Sequence, residues 1–232
     1  MWDGRAWRWT MVALTALGLV GVAALIGASG LVGKASARQV STPWFGPAAP
    51  APLLRDVTAG TIRGPAGWEA WCRDAAAKCQ RTGAAVIALD GATEGVLARV
   101  FATVLARITP VEEPPGQDHW RQIDQAGFGD CDDYAITWRE ALVAAGLPRG
   151  ALDVAVAETE QGEIHAVLAV HTDRGTLIFD NRYPTPRPWT SLPYAWLAIE
   201  PVTTSLAAWQ ALPDHQRIGN TPPLTAEGEA PR

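Results

Sequence analysis

The segment that decides the fold is residues 129–148, GDCDDYAITWREALVAAGLP. Asp130 is a preferred residue type at a helix N-cap, and two further acids follow Cys131 where the helix dipole favours negative charge. Gly146 and the proline two positions later are typical of a helix C-terminus. The pattern therefore predicts a helix whose first turn contains Cys131.

Helices are predicted before this segment and strands after it. Residues 68–80 have helix-forming composition, and residues 94–108 repeat apolar side chains at i, i+4 spacing. Beyond the segment the apolar period changes to two, which predicts strands. The predicted strands are residues 152–157, 164–171 and 176–180, with a hairpin turn at 172–175. Helices followed by antiparallel strands indicate an α+β fold.

The first 37 residues are predicted to direct export. Residues 10–33 carry no charged side chain and follow Arg5 and Arg8; as a helix of about 36 Å they would span a bilayer. Residues 35–37, Ala-Ser-Ala, are similar to a signal-peptidase site. A cleaved signal peptide and a retained membrane anchor both remain open. Either one predicts that the rest of the chain lies in the periplasm, where disulfides persist.

Composition divides the 232-residue chain further. Residues 38–66 are rich in Pro, Ala and Gly and are predicted to be a linker, residues 67–212 the working domain, and residues 213–232 a disordered tail. The formal charge is −5, from 19 basic and 24 acidic residues, with no basic run. This excludes nucleic acid as an expected partner. Membrane contact is expected only through residues 1–37.

Cys131 has the setting of a nucleophile. Free N–H groups and the dipole at a helix N-terminus stabilise a thiolate and an oxyanion. A buried structural cysteine is the alternative for such a residue taken by itself. A catalytic cysteine needs a base and a group that orients the base, and His165, His171 and Asp180 lie on predicted strands downstream. A two-residue turn would place Asp180 opposite Ala169, on the sheet face of both histidines, so pairing leaves the choice of histidine open.

Four motifs in register resemble the bacterial transglutaminase-like cysteine proteinases. The segment G-D-C-D-D-Y-A at 129–135 is followed by H-A-V-L at 165–168, by D-N at 180–181 and by an aromatic pair, Y-A-W, at 194–196. Upstream, Gly-Trp at 67–68 with Cys72 and Cys79, and D-x-W at 118–120, are also similar to that family. The resemblance covers about residues 65–200.

The resemblance implies a papain- or transglutaminase-like fold with a Cys-His-Asp triad. Residue by residue, the triad falls on Cys131, His165 and Asp180, because His165 carries the H-A-V-L motif. The backbone N–H of Cys131 would supply part of the oxyanion hole. Trp120 and Gln122 are candidates for the second donor, and a plain packing role is the alternative for both. The implied function is a periplasmic cysteine endopeptidase that cleaves a surface or secreted protein.

One branch of that family cleaves large biofilm adhesins under the control of cyclic-di-GMP and needs calcium. Its calcium is held by the acids that flank the cysteine, which here are Asp130 and Asp132. These acids would raise the pKa of the thiol unless a cation were bound. The resemblance thus implies Ca²⁺ at this site, an adhesin as substrate and an inner-membrane cyclic-di-GMP receptor as partner. The alternative is that Asp130 only caps the helix and that Asp132 and Asp133 only interact with its dipole.

The remaining two cysteines are expected to form a disulfide. On an unbroken helix the Cα atoms of Cys72 and Cys79 would lie about 10.5 Å apart, whereas a disulfide needs less than about 7 Å. Pairing therefore requires the helix to bend between them, and two separate buried thiols are the alternative.

Two other functions remain open at this stage. A transglutaminase or amidase would use the same triad with a different acceptor. A catalytically silent binding module would use none of it.

Overall fold

The computed structural model describes residues 44–45, 51–114, 117–201 and 208–214. The predicted export segment, residues 1–37, lies outside them. Among the described residues, no helix is both long and apolar enough to cross a membrane.

In the described part of the chain, three α-helices and nine strands form an α+β fold, as predicted. The helices are α1 (Ala66–Asp74), α2 (Gly91–Arg107) and α3 (Cys131–Ala144). The strands are β1 (Gly60–Arg63), β2 (Ile108–Pro110), β3 (Gly127–Gly129), β4 (Leu152–Glu158), β5 (Ile164–Thr172), β6 (Gly175–Phe179), β7 (Arg187–Pro188), β8 (Ala195–Ile199) and β9 (Ala208–Ala211).

Seven of these strands form one antiparallel sheet in the order β1-β9-β8-β4-β5-β6-β7. Strands β2 and β3 form a separate parallel pair that leads directly into α3. Helix α3 packs against β5 at the centre of the sheet, and α2 packs against α3. This arrangement brings the first turn of α3 to the N-terminal end of β5.

Apolar side chains cover both faces of the sheet, which explains why β4 to β6 are almost entirely buried. On the helical face, the rings of Phe101 and Trp138 stack at 5.0 Å between centroids, and Phe179 packs edge-on against both. On the opposite face, Leu54 and Trp196 belong to a second buried cluster with side chains of the strands. Both clusters remove apolar surface from water and so stabilise the sheet.

The linker prediction is wrong for residues 51–66. Leu54 is fully buried and its N–H donates to Thr176 Oγ1 at 3.0 Å, while β1 pairs with β9 at the edge of the sheet. The Pro- and Gly-rich composition of these residues resembles that of a linker. They are held in place by tertiary contacts, and such contacts leave no periodic pattern in the sequence. At the other end, Asp214 accepts a hydrogen bond from the Trp196 N–H at 3.0 Å, so the ordered domain also extends past residue 212.

A buried ion pair joins α3 to β8. Arg139 has no exposed surface, and its guanidinium lies 4.7 Å from the ring of Trp68 and 5.0 Å from that of Trp71. It donates to the carboxylate of Glu200, which also accepts the N–H of Val154 at 3.0 Å. Because a buried charge is costly unless it is paired, this contact sets the position of α3 on the sheet.

Candidate active site

Cys131 is the first residue of α3 and keeps a free thiol. Its Sγ accepts the backbone N–H of Ala166, in β5, at 3.4 Å. The backbone N–H groups of the first helical turn have no partner within the helix and are free to bind an anion. Cys131 lies on an open cleft of about 770 Å³. The residues that line this cleft are Pro110, Val111, Glu112, Glu113, Pro114, Gln117, Asp130, Cys131, Glu163, Ile164, His165, Asn181 and Arg182.

His165 lies across the cleft and is paired with Asp180. Its Nε2 is 2.9 Å from Asp180 Oδ1, and both side chains are buried. The other oxygen of Asp180 accepts the hydroxyl of Tyr194 at 2.6 Å, and Oδ1 also accepts the N–H of Arg182 at 2.9 Å. The hydrogen bond at Nε2 leaves Nδ1 as the ring nitrogen that can exchange a proton with Cys131.

The partners of Asp180 keep it ionised. Burial by itself would raise the pKa of this carboxyl, but the hydrogen bonds from His165 and Tyr194 outweigh it and hold the pKa below its usual value. Burial and the Asp180 carboxylate in turn raise the pKa of Tyr194, so its hydroxyl remains a donor. An ionised Asp180 fixes the imidazole tautomer and stabilises an imidazolium.

The register of the hairpin differs from the prediction by two residues. Thr172 pairs with Gly175 across the predicted two-residue turn, but Ala169 pairs with Ile178 rather than with Asp180. Asp180 follows the end of β6, and the same register brings it towards Val167, which has the same parity in β5. Asp180 therefore lies on the predicted face but two residues closer to His165.

His171 belongs to a different network. It is fully buried, and its Nε2 lies 3.0 Å from Asp153 Oδ2 while its Nδ1 lies 2.9 Å from Thr176 Oγ1. Arg55 and Arg81 both form ion pairs with the same aspartate. His171 lies near the opposite end of β5 from His165, so distance along the strand keeps it away from Cys131.

Three acids surround Cys131, and the structure distinguishes among them. The carboxylate of Asp133 accepts the N–H of Arg121 at 2.9 Å and its Nε at 3.2 Å. In contrast, Oδ1 of Asp130 and Oδ1 of Asp132 are buried without a hydrogen-bond partner. Asp130 is the N-cap residue, as predicted, although its side chain makes no capping hydrogen bond.

Burial and two of these acids raise the pKa of Cys131. Burial is the largest cause, followed by the carboxylates of Asp132 and Asp130, and the Ala166 N–H opposes them only in part. Burial and the neighbouring Asp130 and Asp133 likewise raise the pKa of Asp132. One oxygen from each of the three acids lies within 4.8 Å of the others. The group is therefore rich in oxygen ligands of the kind that Ca²⁺ prefers.

Glycine is required before the nucleophile. A Cβ at Gly129 would lie 2.7 Å from Asp133 Oδ2 and 2.8 Å from its Cβ. Only glycine therefore allows β3 to turn into α3 while Asp133 contacts Arg121.

The D-x-W motif has a structural explanation of the same kind. Asp118 accepts the N–H of Gly67 at 2.9 Å and the indole N–H of Trp120 at 2.7 Å. It thereby joins α1 to the loop that leads to the cleft. This contact favours the packing role of Trp120 over the alternative role as an oxyanion donor.

Gln122 does not fit the oxyanion role either. Its Oε1 accepts from Lys78 at 2.6 Å and its Nε2 donates to Asp124 at 2.5 Å, and neither Trp120 nor Gln122 lines the cleft. No pattern in the sequence indicated the N–H of Ala166 as a partner of the thiol. Only the approach of β5 to α3 shows it.

The disulfide between Cys72 and Cys79 is present. Their Cα atoms lie 5.7 Å apart. Helix α1 ends at Asp74, and Ala76–Cys79 form a 3-10 turn, so the chain bends between the two cysteines as pairing requires.

A model of the family described as bacterial transglutaminase-like cysteine proteinase (BTLCP) matches residues 58–217. The chain belongs to this family. It is therefore a cysteine protease, and the predicted fold class, α+β and transglutaminase-like, is confirmed.

Solved structures of LapG from Legionella pneumophila are similar to the protease at 22% sequence identity. The alignment with an EGTA-treated form covers 51% of this chain and 67% of the LapG chain, with a TM-score of 0.44. The alignment with a calcium-bound form covers 49% of this chain and 68% of the LapG chain, with a TM-score of 0.41. The alignment with a third structure covers 55% of this chain and 72% of the LapG chain, with a TM-score of 0.44. No curated protein matched the sequence.

Proposed function

We propose that the protease is a Cys-His-Asp endopeptidase in which Cys131 is the nucleophile, His165 the general base and acid, and Asp180 the group that orients the imidazole. One observation carries this proposal: Cys131 and His165 line a single cleft, and His165 is hydrogen-bonded to a buried, ionised Asp180. The arrangement supplies the nucleophile, base and orienting group that covalent catalysis needs.

In this mechanism, Nδ1 of His165 takes the thiol proton as Cys131 Sγ attacks the peptide carbonyl. The N–H of Cys131, at the start of α3, stabilises the tetrahedral oxyanion. The intermediate collapses as the C–N bond breaks and His165 returns the proton to the leaving amine. His165 then takes a proton from water, which attacks the thioester, and the proton returns to the Cys131 sulfur as the acid product leaves.

We further propose that Asp130 and Asp132 hold Ca²⁺. Their unpartnered, buried Oδ1 atoms and the closeness of the three acids support this assignment, while Asp133 is held by Arg121. A bound Ca²⁺ would supply the positive charge that favours ionised acids and a thiolate in this first turn. The residues present thus fit a calcium site.

The substrate that we propose is a surface or secreted protein such as a biofilm adhesin, cleaved in the periplasm. The Cys72–Cys79 disulfide supports an oxidising compartment. The resemblance to the adhesin-cleaving branch also suggests an inner-membrane cyclic-di-GMP receptor that sequesters the protease. A giant repetitive secreted protein or such a receptor encoded beside this gene would support this role.

The direct test incubates the purified protease with exported proteins from the same cell. New fragments with the wild-type protein and none with Cys131→Ala are expected. Cleavage that persists in Cys131→Ala would contradict the assignment of the nucleophile. Products of higher mass in place of fragments would indicate a transferase.

A further inference from the structure

Strand β5 is longer than its neighbour β6, and the difference leaves part of its edge free beside the cleft. The pairing of the two strands runs from Thr172 with Gly175 to Leu168 with Phe179. After Phe179 the chain leaves the sheet at Asp180. Residues 164–167 of β5 therefore pair with β4 on one side and, within the described part of the chain, with no strand on the other.

Backbone alternation shows which groups face this free side. Thr159 donates its N–H to the carbonyl of Glu163 at 2.9 Å, so the odd-numbered residues of β5 direct their N–H and C=O groups towards β4. The even-numbered residues, Ile164 and Ala166, direct theirs away from β4. The Ala166 N–H contacts Cys131 Sγ, which shows that this edge faces the nucleophile.

Apolar side chains surround the same edge. Ile164 is 38% exposed and Val111 is 46% exposed, and both line the cleft. Exposed apolar side chains grouped around a cleft are typical of a binding surface.

We propose that the substrate binds as an extended strand along residues 164–167 of β5. The N–H and C=O of Ile164 would hydrogen-bond to the substrate backbone, and the side chains of Ile164 and Val111 would contact an apolar substrate side chain. Adding a strand to a free sheet edge is a general way to bind an unfolded peptide segment. The inference rests on the proposed function, and it names the substrate as an extended, apolar segment rather than a folded surface.

The test compares two variants at one position. Ile164→Ala removes the apolar side chain but keeps the N–H, whereas Ile164→Pro removes both. Proline is tolerated at the first residue of a strand, and this N–H is not used by β4, so the variant is expected to fold. The substrate is the best-cleaved member of a library of fluorescence-quenched peptides, and circular dichroism checks the fold.

We expect kcat/KM to fall about tenfold further in Ile164→Pro than in Ile164→Ala, the effect of one lost hydrogen bond. Alkylation of Cys131 by iodoacetamide should be unchanged in both, because it reports the thiol and not the substrate contact. Equal kcat/KM values for the two variants would overturn the inference while leaving the proposed function intact. If the wild-type protein cleaved neither the peptides nor exported proteins, the proposed function would fail and the inference with it.

A second measurement needs no variant. Replacing single amides of the best peptide by esters removes one substrate N–H at a time. A fall of about tenfold in kcat/KM is expected at the one position that faces the Ile164 carbonyl. Equal cleavage of all the ester peptides would overturn the inference even if Ile164→Pro failed to fold.

Discussion

The hydroxyl of Tyr194 donates a 2.6 Å hydrogen bond to Oδ2 of Asp180. The other oxygen of this carboxylate lies 2.9 Å from His165 Nε2. Tyr194 therefore positions the carboxylate that orients the imidazole. Tyr194 directly precedes β8, and Asp180 directly follows β6. The orientation of the imidazole thus depends on two strands that do not pair with each other.

Tyr194→Phe is expected to lower kcat about tenfold or more, since a hydrogen bond to a charged group contributes about 1.5–3 kcal/mol. KM should change little, because Tyr194 is buried and does not line the cleft. Steady-state kinetics on a cleaved peptide measures the effect. Tyr183→Phe is the matched control, since the hydroxyl of Tyr183 does not contact Asp180. A wild-type kcat in Tyr194→Phe would show that Asp180 needs no such support.

Calcium is expected to raise the melting temperature of the wild-type protein and to have no such effect on Asp132→Asn. The reason is that a ligand bound only by the folded state stabilises it. Differential scanning fluorimetry with millimolar Ca²⁺ or EGTA measures the shift without relying on activity. Asp124→Asn, an exposed acid outside the cluster, is the control and should respond as the wild type does. Identical melting curves for the wild type in Ca²⁺ and in EGTA would remove calcium from the proposal.

Removing the disulfide by Cys72→Ala and Cys79→Ala together is expected to cost about 2–3 kcal/mol of unfolding free energy, as estimated from the short loop that it closes. Urea denaturation measures the loss. Reduction of the wild-type protein should give a similar loss without the cavity that alanine leaves at buried Cys72. A change below about 0.5 kcal/mol in both experiments would contradict a stabilising role for the bridge.

The unfolding free energy is expected to fall as the pH drops below about 6.5, the ordinary pKa of histidine. Burial is the largest influence on the pKa of His171 and lowers it. The hydrogen bond and the charge of Asp153 oppose burial, the guanidiniums of Arg55 and Arg81 add to it, and the net shift of the pKa is downward. The folded state therefore binds fewer protons than the unfolded state, and stability is lost towards acid at up to about 1.4 kcal/mol per pH unit.

His171→Gln keeps a donor for Asp153 but does not titrate, so the pH dependence between about 6.5 and 5 should weaken. The control is His119→Gln, because the side chain of His119 is 67% exposed. Denaturant midpoints at several pH values measure both variants. An unchanged pH dependence in His171→Gln would show that another group causes it.

Local patterns predicted the elements that carry the chemistry. Helix α3 begins at Cys131 and ends before Gly146, whose φ of +93° is the left-handed conformation that favours glycine. The strands followed from a period of two, and the turn at Asp173 and Arg174 has the predicted two residues. These features depend on residues close together in sequence, so the sequence was sufficient for them.

Contacts between distant residues were harder to predict. Residues 51–66 lack periodicity, and their place became clear only from contacts such as that of Leu54 with Thr176. The role of Trp120 stayed open until the structure showed that its indole N–H donates to Asp118 and that its side chain does not line the cleft. Composition does not encode such pairings.

By itself, the sequence determined that a cysteine begins a helix, that acids surround it, and that a histidine and an aspartate lie on the strands downstream. Only the tertiary structure showed that His165 pairs with Asp180, as the family resemblance implied, because alternation gives His165 and His171 the same parity and only their position along β5 distinguishes them. It also decided that Asp133 binds Arg121 while Asp130 and Asp132 retain unpartnered oxygens. Both outcomes depend on how α3 packs on the sheet, and that packing depends on contacts across the whole domain.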